Sequence, residues 1–381
     1  MKVSLLAPNL SSNSTGRAYI LAKVLQRKYE VEIIGPLFGK EIWRPISNDL
    51  SIHLNPININ KNFRSVGQFQ ELYSKIKGDV IYAIKPLFPS FGVGLVKKIF
   101  TKKPLVLDID DWELGFFNAS QRKTYFLKPY NNLRFLAAFI SEKTVKFADE
   151  ITVSNSFLKE KFGGNIIYHG RDTDYLDPAL FDRKKIRNKY KIEPSRKVLM
   201  FLGTPQPYKG IEDVVDALPL VRSKNLLLFI VGIDNKSEYC RELTKLIKKR
   251  LKKDQYILYG LQPFEKIPEF LSLADIVIIP QRKEKSTLGQ TPAKIFDAMA
   301  MAKPIISTNV SDIPEILDDC GWVVEPHQPT QIANTITYIL NNYAEAEEIG
   351  LKARKKCIQY YSWDAMEKNL NNVFRKYEKF F

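Results

Sequence analysis

The chain has 381 residues, of which 45% are apolar and 26% charged, and a formal net charge of +16. The length is that of about two domains, and the apolar fraction excludes a disordered chain. Three widely spaced cysteines without a CxxC motif argue against a disulfide scaffold, a structural zinc site or a redox dithiol. We expect these cysteines to be small buried thiols.

The basic charge is unevenly distributed along the chain. Residues 1–100 contain 14 basic and 6 acidic side chains, whereas residues 301–350 contain one lysine and eight acids. Net charge alone leaves open nucleic acid, an anionic membrane or a phosphorylated substrate as the partner. The acidic region argues against nucleic acid. Without a signal peptide or a run of about 18 apolar residues, we expect a cytoplasmic protein with no membrane span.

The N-terminal part begins with a β-loop-α-β pattern. A strand is predicted at Val3–Ala7, a polar loop at 8–16, a helix at Arg17–Lys28 and a second strand at Val31–Gly35. Further apolar strands are predicted at Val80–Ile84, Leu105–Ile109, Glu150–Ser154 and Asn165–Tyr168. Short, continuously apolar strands between helices are typical of a parallel sheet covered on both faces.

The same pattern starts again in the C-terminal half. Strands are predicted at 197–203, 226–232, 256–260, 274–280, 304–307 and 321–324. We therefore predict an α/β protein of two tandem Rossmann-like, doubly wound domains. The predicted boundaries are an N-terminal domain at 1–172, a linker at 173–196, a C-terminal domain at 197–361 and a helix at 362–381 that packs back on the N-terminal domain. The basic run Arg183–Lys191 is expected to be a solvated surface helix.

Loops that follow the strands are the places to look for a site, because open parallel sheets bind ligands at the carboxyl ends of their strands. The loop containing Gly16 and Arg17 suits a phosphate, although an ordinary capping turn is equally expected. The loop from Gly203 to Gly210 carries Lys209 at the start of a helix. A lysine is unfavourable there unless an anion shares the site.

A third loop leads into an almost wholly apolar helix. Thr291 is its predicted N-cap and Pro292 its first residue. The helix nevertheless carries Lys294 and Asp297 on one face, and buried charges are costly unless they are paired or bound. Either these two form an ion pair, or the lysine reaches toward phosphate and the carboxylate toward sugar hydroxyls.

The order and spacing of several short motifs resemble those of the retaining nucleotide-sugar glycosyltransferases of family 4, the group 1 glycosyltransferases with the GT-B fold. The motifs are Ala7-Pro8-Asn9 with Gly16, Tyr168–Asp172, Gly203 with Lys209-Gly210, Val231-Gly232, Ala274-Asp275 with Pro280, Asp297–Ala300 with Pro304, and Ser362-Trp363. The resemblance implies two domains facing a central cleft, a nucleoside-diphosphate sugar as co-substrate, a glycan or lipid-linked acceptor, and neither a cofactor nor a metal.

The resemblance also implies site residues. Lys209 would bind the diphosphate, and Asp297, the second acid of the family's E-x(7)-E motif, would bind the ribose hydroxyls. The full implied donor site is Gly16, Arg17, Gly203, Thr204, Lys209, Gly260, Gly289, Gln290, Thr291, Lys294 and Asp297. We predict Asp110, Asp111 and Lys209 as catalytic residues and Trp112 and Glu113 as acceptor-binding residues.

The chain departs from the family pattern at three positions. Gly289 stands where the family has its first Glu, and Thr204 where many members have Arg, so phosphate binding would depend on Lys209 and Lys294, or on Arg282 or Lys285. After the strand at Leu105–Ile109, where many members have a His-Asp pair, this chain has Asp108-Ile-Asp-Asp-Trp-Glu113.

Four carboxylates in these six residues require a cation, sugar hydroxyls or a nearby arginine. We favour sugar or acceptor binding, with Trp112 as a stacking face. A metal site and a capped loop are the alternatives. His169 is a candidate base, but its place at the domain joint favours packing.

Two stretches combine aromatic or aliphatic residues with basic ones, Phe88–Lys103 and Arg122–Phe139. They fit peripheral attachment to an anionic membrane on its inner face, and equally core-facing helices with a basic edge. The predicted function is sugar transfer to a glycan or glycolipid in cell-surface polysaccharide or glycolipid synthesis. The alternatives are a nicotinamide-dependent oxidoreductase, disfavoured by the lack of G-x-G-x-x-G, and a non-catalytic basic binding protein.

Overall fold

Two parallel sheets organise the chain in the computed structural model, which describes residues 1–59, 66–117, 129–223 and 225–380. The chain divides into two compact units. Unit 1 comprises Met1–Gly170, Leu288–Thr291 and Trp363–Phe381, and unit 2 comprises Arg171–Thr287 and Pro292–Ser362. The stretch predicted as a linker, 173–196, lies in unit 2, and the segment 288–291 lies in unit 1.

The strands are short and mostly apolar. They are β1 Lys2–Leu6, β2 Glu30–Leu37, β3 His53–Asn58, β4 Val80–Ile84, β5 Leu105–Ile109, β6 Glu150–Val153, β7 Asn165–Ile166, β8 Lys197–Leu202, β9 Leu226–Ile233, β10 Tyr256–Gly260, β11 Ile276–Ile279, β12 Ile305–Thr308 and β13 Trp322–Val324. Every residue of β4 and β9 is buried, because helices cover both faces of each sheet.

The helices lie between the strands and at the C-terminal end. They are α1 Thr15–Leu25, α2 Val66–Lys75, α3 Val93–Thr101, α4 Pro129–Thr144, α5 Ser156–Phe162, α6 Arg183–Lys189, α7 Ile211–Ala217, α8 Glu238–Arg250, α9 Ile267–Leu273, α10 Lys285–Leu288, α11 Lys294–Ala300, α12 Ile313–Ile316, α13 Pro329–Asn341, α14 Tyr343–Tyr360 and α15 Trp363–Phe374. Short 3₁₀ turns and a π-helical turn at Phe88–Gly92 occupy several connections.

Both sheets are doubly wound. In unit 1 the strand order is β3-β2-β1-β4-β5-β6-β7, and in unit 2 it is β10-β9-β8-β11-β12-β13. All of these pairings are parallel. The winding direction reverses between β1 and β4 in unit 1 and between β8 and β11 in unit 2. The carboxyl ends of these strand pairs form the two switch points, where sheets of this type bind ligands.

The last helix, α15, belongs to the core of unit 1. Its buried residues Met366, Leu370, Val373 and Phe374 follow helical spacing and join the apolar cluster that contains Leu5 of β1 and Val24 of α1. The core of unit 2 is a separate cluster built around β8, β9 and β11.

The strand β3 was not predicted from the sequence. The sequence of β3 contains Pro56 and polar residues between the apolar ones, so it does not show a strand pattern. A proline is tolerated there because β3 is the edge strand of its sheet. The start of α11 was also predicted wrongly. This helix begins at Lys294, with Ala293 as its N-cap, and the Thr291 hydroxyl donates to the carbonyl of Ser154 instead of capping it.

Two further expectations can be checked in the described residues. All three cysteines are free and buried, as predicted. The basic run at Arg183–Lys191 is only partly a solvated helix. Arg183 and Arg187 of α6 form ion pairs with the buried Asp275, and Arg187 is itself buried. The buried carboxylate of Asp275 needs cations to neutralise it, and these two arginines provide them. Composition alone does not show which basic residues pair with it.

Within the described ranges, no helix has both the length and the apolar character needed to cross a bilayer.

Candidate functional site

The switch point of unit 2 contains a lysine that has no partner among the described residues. Lys294, at the first turn of α11, lies against Gly203, the residue after β8. Gly203 has φ of +125°, and a side chain there would overlap that of Lys294. In the part of the chain that the structure describes, the Lys294 ammonium has no hydrogen bond or ion pair. Burial lowers the pKa of Lys294, Asp297 opposes this and Arg171 adds to it. The half-buried ammonium of Lys294 is therefore available to bind an anion.

Asp297 lies one turn further along α11, and its partner is Arg171. The Arg171 guanidinium donates to both carboxylate oxygens and, at 2.9 Å, to the carbonyl of Ala293. Asp297 is only 5% exposed. The alternative of a Lys294–Asp297 ion pair is thus wrong for these residues. Arg171 was not predicted as a site residue, and the one signal for it was that a buried carboxylate needs a cation.

Other predicted donor residues of unit 2 are placed around the same strand ends. Lys209 donates from Nζ to the carbonyl of Thr204 at 2.6 Å, so its ammonium holds its own loop. Gly260 ends β10 and is exposed. Arg282 follows β11, and its guanidinium donates to Asp213 at 2.8 Å. It is therefore less available to an anion than Lys294.

The switch point of unit 1 contains a lysine with several partners. Lys85 directly follows β4 and is buried. Its ammonium contacts Asp111 and lies 2.9 Å from Glu113 and 3.3 Å from Asp110. The sequence left a cation, sugar hydroxyls or an arginine open as partners of these carboxylates, and the structure places Lys85, which was not predicted, among three of them.

These charges perturb one another. Burial opposes a charged Lys85, but the three carboxylates outweigh it and raise the pKa of Lys85. Burial raises the pKa of Asp110 to about 7, with Lys85 opposing the rise and Asp111 adding to it. One lysine cannot neutralise three carboxylates, so the cluster retains negative charge.

Arg17 and Asp108 form a second, fully buried pair in unit 1. The Arg17 Nε and Nη2 atoms donate to the two oxygens of Asp108 at 2.9 and 2.8 Å. Nη2 also donates to the carbonyl of Ile167 at 2.7 Å. Arg17 is 3% exposed, and its neighbour Gly16 is buried in the first turn of α1. The Arg17 guanidinium lies in the core, so we do not retain it as a phosphate ligand.

The segment Leu288–Thr291 packs within unit 1. A Cβ atom at Gly289 would lie 2.6 Å from the Cβ and 2.8 Å from the backbone nitrogen of Trp112, so no side chain fits there. The Gln290 amide donates to Oδ1 of Asp111 at 2.7 Å. This close approach explains physically why glycine replaces the glutamate that the family resemblance led us to expect.

Trp112 is only partly available for stacking. Its Nε1 donates to Glu142 at 3.0 Å, and the ammonium of Lys161 lies 4.8 Å from the ring centroid. Among the described residues, no group of three or more His, Cys, Asp and Glu side chains could hold a metal ion.

The basic stretch at Phe88–Lys103 divides into committed and exposed residues. Lys97 and Lys103 donate to backbone carbonyls, and Lys98 pairs with Asp149. Ile99 and Phe100 on α3 are 61% and 76% exposed. Several apolar side chains of the second stretch and beyond it are also exposed, namely Leu136, Phe139, Ile140 and Phe147. In the second stretch, residues 122–128 and the side chains of residues 129–134 lie outside the described part of the chain.

The fold and the residues at its strand ends define a class of protein. Residues 182–356 match the family model described as glycosyl transferases group 1. This part of the chain is similar to that family, in agreement with the resemblance to group 1 glycosyltransferases noted in the sequence.

Relatives and solved structures are also similar to this chain. An uncharacterized glycosyltransferase of Methanocaldococcus jannaschii is 24% identical over 354 residues, which cover 82% of this chain and 88% of the relative. A sucrose-phosphate synthase of Thermosynechococcus elongatus has a TM-score of 0.79 at 14% identity, covering 99% of this chain and 98% of that one. Anabaena HepE, solved in complex with UDP and glucose, has a TM-score of 0.78 at 19% identity, covering 99% and 100%. The predicted GT-B fold is confirmed.

Proposed function

We propose that the protein is a retaining, metal-independent glycosyltransferase. It moves a sugar from a nucleoside-diphosphate sugar to a hydroxyl of a glycan or glycolipid, in cell-surface polysaccharide or glycolipid synthesis. The observation that carries this proposal is the ammonium of Lys294 at the switch point of unit 2, which no described residue pairs with. A fixed cation in a partly dry site stabilises the negative charge that develops on a departing diphosphate. The complex of the HepE neighbour with UDP and glucose supports this choice of donor.

The donor is held by groups with distinct chemistry. Lys294 and Lys209 bind the diphosphate, and Asp297 accepts hydrogen bonds from the ribose hydroxyls. A carboxylate has about four acceptor positions, so the hydrogen bonds from Arg171 leave others for the ribose.

The acceptor hydroxyl is bound in unit 1. Asp110 and Asp111 accept its hydrogen bonds, and Trp112 and Glu113 add further contacts. Because Lys85 does not neutralise the whole cluster, the remaining negative charge favours neutral sugar hydroxyls over phosphate.

Nucleotide binding tests the proposal directly. Thermal-shift curves are measured with UDP, GDP, ADP and CMP for the wild type, Asp297→Asn and the control Lys248→Met, an exposed lysine on α8. We expect one diphosphate to raise the Tm of the wild type and of the control, and to raise that of Asp297→Asn less. The proposal fails if no nucleotide stabilises the wild type. If Asp297→Asn responds like the wild type, only the role of Asp297 fails.

We propose that the exposed apolar residues of unit 1 attach the protein to an anionic membrane, where a lipid-linked acceptor is found. Because most lysines of Phe88–Lys103 are committed to the protein, Ile99 and Phe100 supply the main contact. Phe100→Ser is expected to reduce co-sedimentation with anionic vesicles several-fold, and high salt is expected to reduce it further. Equal binding to neutral vesicles would contradict the choice of an anionic surface.

A further inference from the structure

Lys85 has an unfavourable backbone conformation. Its φ of +65° lies in the left-handed region, which costs a non-glycine residue about 1 kcal/mol or more. The Lys85 amide donates to the carbonyl of Asp108 at 2.7 Å, which ties this residue to the end of β5. Such strain persists where the surrounding structure requires it, and it is frequent at functional sites.

The side chain of Lys85 contacts one of the two carboxylate oxygens of Asp111. The ammonium contacts Oδ2 of Asp111, and the other oxygen of the same carboxylate, Oδ1, accepts the hydrogen bond from Gln290. One carboxylate therefore joins the buried lysine to the segment Leu288–Thr291. Gly289 in this segment packs against Trp112, the residue directly after Asp111.

The shorter side-chain hydrogen bond of this segment is made to Asp111. Among the described residues, the side chain of Gln290 donates a 2.7 Å hydrogen bond to Asp111, and that of Thr291 donates a longer one of 3.4 Å to the carbonyl of Ser154. Gly289 contributes no side chain. The shorter bond ends on a carboxylate that lies among like charges.

We propose that Lys85 is a positioning residue, which fixes Asp111 so that this carboxylate holds Gln290 and the segment Leu288–Thr291 and stays oriented toward the acceptor hydroxyl. This inference rests on the proposed function for its last step, and its structural steps stand independently.

The charges around Lys85 predict a pH signature. Asp110, Asp111 and Glu113 face its ammonium directly, and the Arg17–Asp108 pair lies next to them. In Lys85→Met the three carboxylates have no lysine between them. At low pH a bound proton relieves their repulsion, and at high pH Asp111 turns away and releases Gln290.

Hydrogen–deuterium exchange of a peptide containing residues 288–291 tests this in the full chain without nucleotide. We compare the wild type with Lys85→Met, Lys85→Arg and a control, Lys23→Met, which removes another ion-paired lysine of unit 1. After correction for intrinsic exchange, Lys85→Met is expected to exchange about fivefold faster at pH 8, consistent with loss of one hydrogen bond. At pH 5.5 it approaches the wild type. The exchange rate of Lys85→Arg should lie between those of Lys85→Met and the wild type, and that of Lys23→Met should equal the wild-type rate.

The outcomes separate this inference from the proposed function. Unchanged exchange in Lys85→Met at pH 8 overturns the positioning role, and so does an equal increase throughout unit 1, which indicates a merely structural lysine. For the last step, UDP-glucose turnover is measured, with kcat/KM expected to fall up to about 100-fold in Lys85→Met at pH 8 and to recover at pH 5.5. If no nucleotide binds the wild type, the proposed function fails while the exchange result still decides the positioning role.

Discussion

The two switch points each contain a lysine, and the surroundings of the two lysines are opposite. Lys85 in unit 1 lies among three carboxylates, whereas Lys294 in unit 2 has no hydrogen bond or ion pair to its ammonium from any described residue. In unit 2 the nearby carboxylate, Asp297, is taken by Arg171. The comparison teaches that a shared strand topology does not determine the ligand. The local charge balance determines it, because unit 2 keeps an ammonium that can bind an anion and unit 1 keeps more carboxylates than its lysine neutralises.

The largest expected effect comes from removing the arginine that keeps the unit 2 lysine open. Arg171→Met leaves Asp297 buried without its cation, which typically costs about 4 kcal/mol. The urea midpoint of unfolding should fall accordingly. The double variant Arg171→Met/Asp297→Asn should recover much of the loss, because no charge is then stranded. Equal midpoints for Arg171→Met and the wild type would show that the pair does not matter.

The next effect tests the open cation itself. In Lys294→Met, loss of a charge-assisted hydrogen bond of about 2 kcal/mol should weaken binding of the stabilising nucleoside diphosphate about 30-fold. Burial lowers the pKa of Lys294, so the charged form is disfavoured in the fold, and the variant should be at least as stable as the wild type at pH 7. Calorimetric titration and Tm measure the two effects. Weaker binding together with a lower Tm would point to simple misfolding.

A smaller effect is expected at the loop lysine of unit 2. Lys209 is already bonded to the carbonyl of Thr204, so it offers the diphosphate only part of its donor capacity. We expect Lys209→Met to weaken nucleotide binding about tenfold, less than Lys294→Met. A larger loss in Lys209→Met than in Lys294→Met would reverse the ranking of the two cations.

The smallest effect concerns the carboxylate excess of unit 1. Burial raises the pKa of Asp110 to about 7, so the folded protein holds a proton that the unfolded chain releases at lower pH. This contribution to stability is lost as pH rises from about 4 to 7. Asp110→Asn cannot ionise, so its Tm relative to that of the wild type should be about 3 °C higher at pH 8 than at pH 5. A difference that does not change with pH would refute the assignment of the proton to Asp110.

Much of the fold was predictable because strand periodicity is a local property. The strands at Val80–Ile84, Leu105–Ile109 and Tyr256–Gly260 were predicted to the residue. The edge strand β3 escaped detection because its position in the sheet, and not its composition, makes Pro56 tolerable. The prediction of a Thr291 N-cap failed because the hydroxyl finds its partner far away in the sequence, at Ser154.

By itself, the sequence predicted a two-sheet α/β protein that resembles the group 1 glycosyltransferases and has charged residues at its strand ends. Only the tertiary structure decided which charges neutralise one another. The pairs Arg17–Asp108 and Arg171–Asp297 join residues 91 and 126 positions apart. Sequence patterns report local periodicity, whereas the state of a charge depends on neighbours that folding brings within a few ångströms. That is why Arg17, a predicted phosphate ligand, lies in the core, and why Lys294 remains open.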